Sequence, residues 1–420
     1  MLFRSLKITD LNSPFNGQTL DLRIEGEKLT AIGADLALHK DEEEIFLPGG
    51  HVAPGFVDLG AYLGDPGHEE REDIVSLRAA ALAGGYVSVA TLPDTDPVRQ
   101  SVADVAYLLR HNGDHPVDLL PLVALSRNMA GKDMVEMLDL NDAGALAFTD
   151  GPERQVSGSL LKRTLEYAKV RQLTVMISPY DEALVADGQI HEGSVSTRLG
   201  LPGIPTMSET IPLKQAMEIQ AYTLGRLIVH LLSSAEGVAE VRRAKAAGHK
   251  IWATVSAHHL TFTVEALSGF DTNFKMLPPL REESDRLALI KGLKDGTIDA
   301  IVSNHYARHG EEKDLEFPYA DFGALGLQTA FRQALAALDG QLSLAEIVGK
   351  FTDFGGRDAA GDTTIQEGGL ARLTIFRTGG SSEFVAADIK GKTVNSPLVG
   401  RELPGSILGL VNYGKFVATN

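Results

Sequence analysis

The chain has 420 residues, no cysteine and a formal net charge of −17. Nucleic acids and anionic membrane surfaces repel such a chain, and the lack of cysteine excludes disulfides, thiolate metal ligands and a cysteine nucleophile. No apolar run approaches the roughly 20 residues that span a bilayer, and the N-terminal sequence has no apolar signal segment, so we expect a cytoplasmic protein.

Residues 1–55 alternate apolar and polar positions between turn signals, which is the period of half-buried strands. The segments are SLKITDLN, TLDLRIEGEKLTAIGADL and EEIFLPGGHVAPGFVDLG. The same pattern returns after about Leu370, in LARLTIFRTGG, SSEFVAADIKGK and SILGLVNYGKFVA. We therefore predict a small β-sandwich domain built from both termini, residues 1–55 and 361–420.

Residues 56–360 have a different rhythm, in which short apolar runs alternate with helical patterns. The runs are YVSVATLP, DLLPLVAL, AGALAFTD, LTVMISPY, RLIVHLLS, KIWATVSA and IDAIVSNH. The intervening helical patterns include DIVSLRAAALAGG, VSGSLLKRTLEYAKVR and GVAEVRRAKAAG. Such alternation predicts the α/β class with a parallel sheet, closed as a (β/α)8 TIM-type barrel.

Motifs along nearly the whole chain identify a family resemblance. They include VAPGFVDLGAYLGDPG, LGLPGIPTMSET, SSAEGVAEVRRAKAAG, DTNFKMLPPLR and NSPLVGRELPGSILGLVNYGKFV. In order and spacing they resemble the dihydroorotases of the amidohydrolase superfamily. The resemblance implies a TIM-type barrel with a composite β-sandwich, a zinc site at the barrel mouth, and a role in pyrimidine biosynthesis.

The metal positions implied by the resemblance carry other residues here. The family's His-x-His after the first barrel strand aligns with Gly60 and Tyr62, and its next two ligand histidines align with Ser178 and Leu231. Glycine, leucine and tyrosine are not normal zinc ligands. His230 lies one residue from the aligned position, and a one-residue slip on a strand turns a side chain to the opposite face, so we predict that it points away from the lumen unless a bulge in the strand restores it.

The substrate-binding and catalytic positions differ as well. The family's arginine for the substrate carboxylate aligns with Gly64, and its two substrate-binding asparagines align with Asp94 and Leu277. The catalytic Asp of the family's DHAPH loop aligns with Asn304, and Arg308 closes the aligned segment. An amide cannot serve as a general base near neutral pH.

Four residues remain as candidate ligands of a reduced metal site: Asp150, His230, His305 and His309. His305 and His309 are four residues apart and could share a helix face, as two-histidine metal motifs do. Alternatively, both are hydrogen-bonded or exposed imidazoles of a loop. Tyr62, Tyr180 and Tyr306 either fill the mouth or form a new binding surface.

These positions lead to an expectation and an alternative. We expect a non-catalytic dihydroorotase homologue without a cofactor. The resemblance implies that it serves as an assembly subunit for the aspartate transcarbamoylase catalytic chain, as a homodimer within a larger hetero-oligomer. The alternative is a zinc-dependent cyclic amidohydrolase with a rebuilt, reduced metal site.

Overall fold

The computed structural model describes residues 1–113, 115–352 and 363–419. Eight parallel strands form the wall of a nearly closed barrel, in the order in which they follow along the chain. Numbered in chain order, so that the strands of the N-terminal segment come first, they are β6 (Phe56–Ala61), β7 (Tyr86–Thr91), β8 (Asp118–Val123), β9 (Ala147–Phe148), β10 (Thr174–Ile177), β13 (Arg226–Val229), β14 (Ile251–Ser256) and β15 (Ala300–Val302). Each apolar run predicted as a barrel strand is one, so the α/β barrel prediction is confirmed.

Helices surround this wall. The α-helices are α1 (Ile74–Gly84), α2 (Val102–Leu109), α3 (Met137–Asp142), α4 (Gly158–Ala168), α5 (Glu182–Val185), α6 (Ser194–Leu199), α7 (Met207–Thr223), α8 (Ala235–Ala246), α9 (Ala257–Thr261), α10 (Glu283–Lys294), α11 (Gly310–Lys313), α12 (Ala330–Ala337) and α13 (Leu344–Thr352). Side chains cap several of them: Asp73, for example, accepts the Ser76 N–H at the start of α1. Such a cap satisfies a backbone donor that the first turn leaves without a partner.

The two faces of the barrel wall bury different apolar sets. The outward set packs under the helices and includes Val89, Val175 and Val229. The inward set fills the lumen and comprises Leu59, Ala90, Leu92, Leu122, Ala147, Met176, Ile228, Leu231 and Val302. Because side chains on a strand alternate between faces, this division fixes which residues beyond each strand end continue into the lumen.

The two chain ends form one separate sheet. Its N-terminal strands are β1 (Leu2–Ile8), β2 (Thr19–Glu25), β3 (Lys28–Gly33), β4 (Glu44–Phe46) and β5 (His51–Pro54), and its C-terminal strands are β16 (Leu373–Phe384), β17 (Arg401–Asn412) and β18 (Lys415–Ala418). Strand β5 pairs with both β1 and β16, which joins the two ends. The sheet has its own apolar core, including Leu22, Val52 and Leu373. The predicted boundary at 360/361 lies outside the described residues, and the domain limits stay a prediction.

Two further features complete the described fold. A two-stranded ribbon joins β11 (Ile190–His191) and β12 (Gly203–Ile204) beside the barrel. Among the described helices, none combines the length and the apolar character that crossing a membrane requires.

Candidate functional site at the barrel mouth

Gly60 and His230 face each other across the lumen. Gly60 lies one residue before the end of the first barrel strand, at a φ of +90°, a backbone conformation that suits glycine. A Cβ placed on it would lie 2.6 Å from His230 Nε2, so glycine is what gives the imidazole its space. The prediction that His230 points away from the lumen is therefore wrong.

The register of two neighbouring strands explains this orientation. Met176 of β10 pairs with Ile228 of β13, and both side chains lie in the lumen. Two residues further on, Ser178 and His230 point the same way, and the His230 N–H continues the ladder by donating to Ile177 O at 2.8 Å. The chain turns only at Leu231, which has a φ of +60° and also packs into the lumen. A left-handed residue, which the sequence pattern does not reveal, thus brings two successive side chains inward.

Two tyrosines cover the lumen. The rings of Tyr62 and Tyr306 stack with centroids 4.5 Å apart, and Tyr62 is buried. Burial raises the pKa of Tyr62 to about 12, so its hydroxyl stays protonated. The Arg308 guanidinium lies 4.7 Å from the Tyr306 ring centroid. Of the two alternatives for these tyrosines, the structure shows filling of the mouth.

Asp94 lies at the edge of this aromatic stack. The Tyr306 hydroxyl donates to its Oδ2 at 2.5 Å, whereas Oδ1 is buried without a hydrogen-bond partner. Burial raises the pKa of Asp94, although the bond from Tyr306 acts in the opposite direction. Asp94 therefore keeps one buried oxygen without a hydrogen-bond partner.

Arg308 is committed to the surface loop around it. Its side chain donates to Phe322 O at 2.8 Å and lies 3.3 Å from Asp321, 3.7 Å from Glu153 and 3.8 Å from Glu312. These contacts hold the guanidinium over Tyr306, where it closes the aromatic stack from the outside.

Both carboxylate oxygens of Asp150 accept hydrogen bonds from residues that follow the neighbouring strand. Its Oδ1 accepts the N–H groups of Leu125 and Ser126, both at 2.9 Å, and its Oδ2 accepts the Ser126 hydroxyl at 2.5 Å. Burial raises the pKa of this carboxyl group, and the three donors counteract the shift. The geometry is that of a loop anchor.

His305 and His309 do not share a helix face. His305 is buried, with Nε2 3.1 Å from the Glu72 carboxylate and Nδ1 accepting the Gly326 N–H. His309 is exposed and caps α11 by accepting the Glu311 N–H at 3.4 Å. In this structure one is a buried, hydrogen-bonded imidazole and the other an exposed one.

The remaining aligned positions have backbone roles. A Cβ on Gly64 would lie 2.1 Å from His68 O, so close packing of the loop requires glycine there. Asn304 has a φ of +49° and donates from its side-chain amide to Leu277 O at 3.2 Å. These contacts connect two loops of the mouth.

The described residues do not fit the zinc site that the resemblance implies. Among residues 1–113, 115–352 and 363–419, no group of three or more His, Asp or Glu side chains is placed to hold a metal ion. The four candidate ligands are dispersed: Asp150 serves a loop, His305 pairs with Glu72, His309 is at the surface, and only His230 points into the lumen.

Sequence reasoning missed several residues of the mouth. Asp58 accepts both the N–H and the hydroxyl of Ser303, and so links the first barrel strand to the end of the last. Glu72 is fully buried under the mouth. Thr254 lies 3.0 Å from His230 Nδ1 and fixes that ring. Each pair joins residues distant in sequence, and no local motif marks them.

Comparisons with known proteins agree with this fold and these motifs. The family described as dihydro-orotase-like matches residues 49–236. A dihydroorotase of Syntrophus aciditrophicus is 34% identical and covers 99% of both chains, and one of Carboxydothermus hydrogenoformans is 37% identical over 87% of this chain and 86% of its own. The L-hydantoinase (dihydropyrimidinase) from Arthrobacter aurescens superposes with a TM-score of 0.86 at 20% identity, over 99% of this chain and 95% of its own. At that identity the superposition shows the shared fold.

Two expectations need correction in the light of these relatives. The expectation of a protein that is not an enzyme is contradicted, because relatives spanning its whole length are named dihydroorotases. The expectation of no cofactor is contradicted as well, since the family is one of zinc enzymes, even though the described mouth lacks a three-ligand set. The chain belongs to the dihydroorotase-like family of cyclic amidohydrolases.

Proposed function

We propose that the chain is a cyclic amidohydrolase of the dihydroorotase type in pyrimidine biosynthesis. In this reaction class water adds to a ring carbonyl and the ring C–N bond breaks; one proton of the water goes to the nitrogen, and the new carboxylic acid releases the other as it becomes a carboxylate. The observation that carries the proposal is 34% identity to a dihydroorotase over 99% of the chain.

The mouth supplies two groups suited to this chemistry. His230 is a neutral imidazole, because burial lowers its pKa to about 3, and its Nε2 faces the lumen. It can donate a hydrogen bond to a ring carbonyl. Asp94 has an uncommitted oxygen and a pKa raised by burial, as suits a group that accepts a proton from water. No step is assigned to zinc, because the described residues do not fit it.

A ring-opening assay tests this function. The purified chain is incubated with dihydroorotate, and in the reverse direction with carbamoyl aspartate, each with and without added zinc. We expect turnover that falls about 100-fold in Asp94→Asn and is unchanged in Tyr222→Ala, a surface control on α7. The absence of ring opening with every cyclic amide offered would contradict the proposal.

We also propose that the chain binds the aspartate transcarbamoylase catalytic chain and is a homodimer within that larger complex. An exposed surface segment supports this second role. Leu315 and Tyr319 are 43% and 73% exposed, and the neighbouring Glu311, Asp314 and Glu316 are exposed acids. Apolar side chains inside a charged rim are typical of protein contact surfaces.

Buried lysines hold this segment in place. Lys313 Nζ donates to Asp321 O at 2.8 Å and to Gly323 O at 3.1 Å, and Lys275 Nζ donates to Phe317 O at 2.8 Å. A surface that is ordered before binding loses little conformational entropy on binding. The segment is thus a suitable contact surface for a partner.

Light scattering after size exclusion tests the assembly. The chain is run alone, with the transferase catalytic chain, and as Tyr319→Ala and Tyr222→Ala, whose wild-type tyrosines are 73% and 72% exposed. We expect a mixed complex that Tyr319→Ala weakens and Tyr222→Ala does not. Separate elution of the two wild-type proteins would contradict the proposed interaction.

A further inference from the structure

Strand β4 is a short, open edge of the sheet that the two chain ends form. It pairs in parallel with β1 and has no second partner strand among the described residues. The Leu2 N–H donates to Glu43 O at 2.8 Å, so the main chain of Glu43 and of Ile45 bonds toward β1. Alternate residues of a strand point their main-chain groups the other way, which leaves the N–H and C=O groups of Glu44 and Phe46 on the open side.

The strand that follows β4 on the same side of β1 has a covered edge. β5 pairs with β1 and, on its other side, with β16 as far as the pair of His51 and Phe376. Beyond that pair the register of β16 shifts, between Arg377 and Ser381. The position beside β4 that lies in line with β16 therefore holds no strand of the part of the chain that the structure describes. An added extended segment would continue the sheet there.

The side chains of β4 divide between the two faces of the sheet. Ile45 packs on the apolar core of this sheet, so Glu44 and Phe46 point to the opposite face. The Phe46 ring is 65% exposed. Aromatic side chains are among those that contribute most to binding at protein interfaces. The open edge thus carries both unpaired main-chain groups and an exposed aromatic ring.

Two arginines fix the loop of residues 34–43 that leads into β4. Arg4 donates to Leu36 O at 2.6 Å and to the Glu44 carboxylate at 2.5 Å. Arg23 donates to the Glu42 carboxylate at 2.9 Å. A surface that is ordered before binding loses little conformational entropy on binding.

The charge of this loop selects the kind of partner. The segment LHKDEEEIF, residues 38–46, has four acids and one lysine. Asp41 and Glu43 are exposed, and neither forms an ion pair within residues 1–113, 115–352 and 363–419. A second copy of the chain would bring its own two acids close to them, and its net charge is −17. Like charges across a strand pair are destabilising, whereas opposite charges stabilise it, so the surface favours a basic segment over a second copy.

We propose that β4 is a docking site for an extended basic segment of another protein, which adds to the sheet as a strand. Its apolar side chain packs on Phe46, and its lysine or arginine side chains lie beside Asp41 and Glu43. The inference is independent of the proposed function, because the site is on the terminal sheet and the proposed reaction is at the barrel mouth.

Fluorescence anisotropy with two matched peptides tests the site. The labelled probe is the basic peptide KVKVKV, the acidic peptide EVEVEV is its match, and the full chain is titrated into each. We expect the basic peptide alone to bind. Phe46→Ala should weaken this binding about tenfold, because the ring is no longer there to be buried. Tyr222→Ala removes a ring that is 72% exposed on α7 and should leave the binding unchanged.

Two further variants separate main-chain pairing from charge. The Phe46 N–H lies on the open side, so Phe46→Pro removes a donor toward the partner and none toward β1. We expect Phe46→Pro to bind the basic peptide about threefold more weakly than Phe46→Ala does. Asp41→Asn with Glu43→Gln should weaken the binding of the peptide to the wild-type ring about threefold. Hydrogen exchange of residues 41–47 should slow when the peptide is bound.

The outcomes decide between this site and its rivals. Equal binding of the basic peptide to wild type and Phe46→Ala would show a general attraction to an acidic protein and overturn the inference. Unchanged hydrogen exchange of residues 41–47, or equal binding of the acidic peptide, would overturn it as well. A wild type that is dimeric in light scattering while Phe46→Ala is monomeric would identify a second copy as the occupant, and this too would overturn it.

Discussion

Glu209 and Asp94 are both buried carboxylates near barrel strand ends, but their surroundings differ. Glu209 accepts the N–H and hydroxyl groups of Ser233 and Ser234, and Arg281 lies 3.5 Å away. Asp94 accepts one hydroxyl and leaves an oxygen without a partner. A saturated carboxylate holds loops together, whereas an unsaturated one is available to a ligand. The contrast separates scaffold from candidate site more clearly than burial does.

The largest loss of stability should come from a change at Glu209, whose oxygens all have hydrogen-bond donors. Glu209→Gln replaces one acceptor oxygen by an amide NH2 that faces existing donors, and it leaves the buried Arg281 charge without the carboxylate that pairs with it. We expect the free energy of unfolding to fall by about 3 kcal/mol. Urea denaturation measures it, and a loss below about 1 kcal/mol would show that the network is not structural.

The aromatic lid should contribute less to stability. Tyr306→Ala removes the stack with Tyr62 and part of the lumen packing, for an expected loss of about 2 kcal/mol. Tyr222→Ala at an exposed position should change the unfolding free energy by less than about 0.5 kcal/mol. Equal effects of the two changes would mean that the stack is not formed in solution.

The saturated network should also be sensitive to acid. Burial, and then the charge of Arg281, lower the pKa of His191 to about 4, and Arg281 donates to its Nδ1 at 3.1 Å. The folded pKa lies below the unfolded value, so this stability is present above about pH 6.5 and is lost as pH falls toward 4. Wild type should lose about 1.4 kcal/mol per pH unit relative to His191→Gln in that window. Parallel stability curves for the two proteins would contradict this.

The smallest effect on stability is expected at the unsaturated carboxylate. Asp94→Asn retains an oxygen for the Tyr306 hydroxyl and removes a charge whose burial already raises its pKa. The unfolding free energy should change by less than about 1 kcal/mol, while turnover falls as described above. A loss as large as that of Glu209→Gln would place Asp94 with the scaffold.

Sequence patterns predicted the barrel because each of its strands and helices is specified by residues that are neighbours in the sequence. Each barrel run, such as that of β14, is short and apolar and is followed by a helical pattern. The contacts of the mouth were harder to predict, because they join residues that are far apart in the sequence: Tyr306 with Asp94, and His305 with Glu72. The direction of His230 was mispredicted because the chain turns at Leu231 through a left-handed φ, which no residue type there signals.

The central claim is that the chain opens a cyclic amide at the barrel mouth and that Asp94 takes part in this reaction. Ring opening of dihydroorotate by the wild type and by Asp94→Asn, measured side by side, tests it directly. The account predicts turnover by the wild type that falls about 100-fold in Asp94→Asn. No turnover by the wild type, or equal turnover by the two proteins, would contradict it.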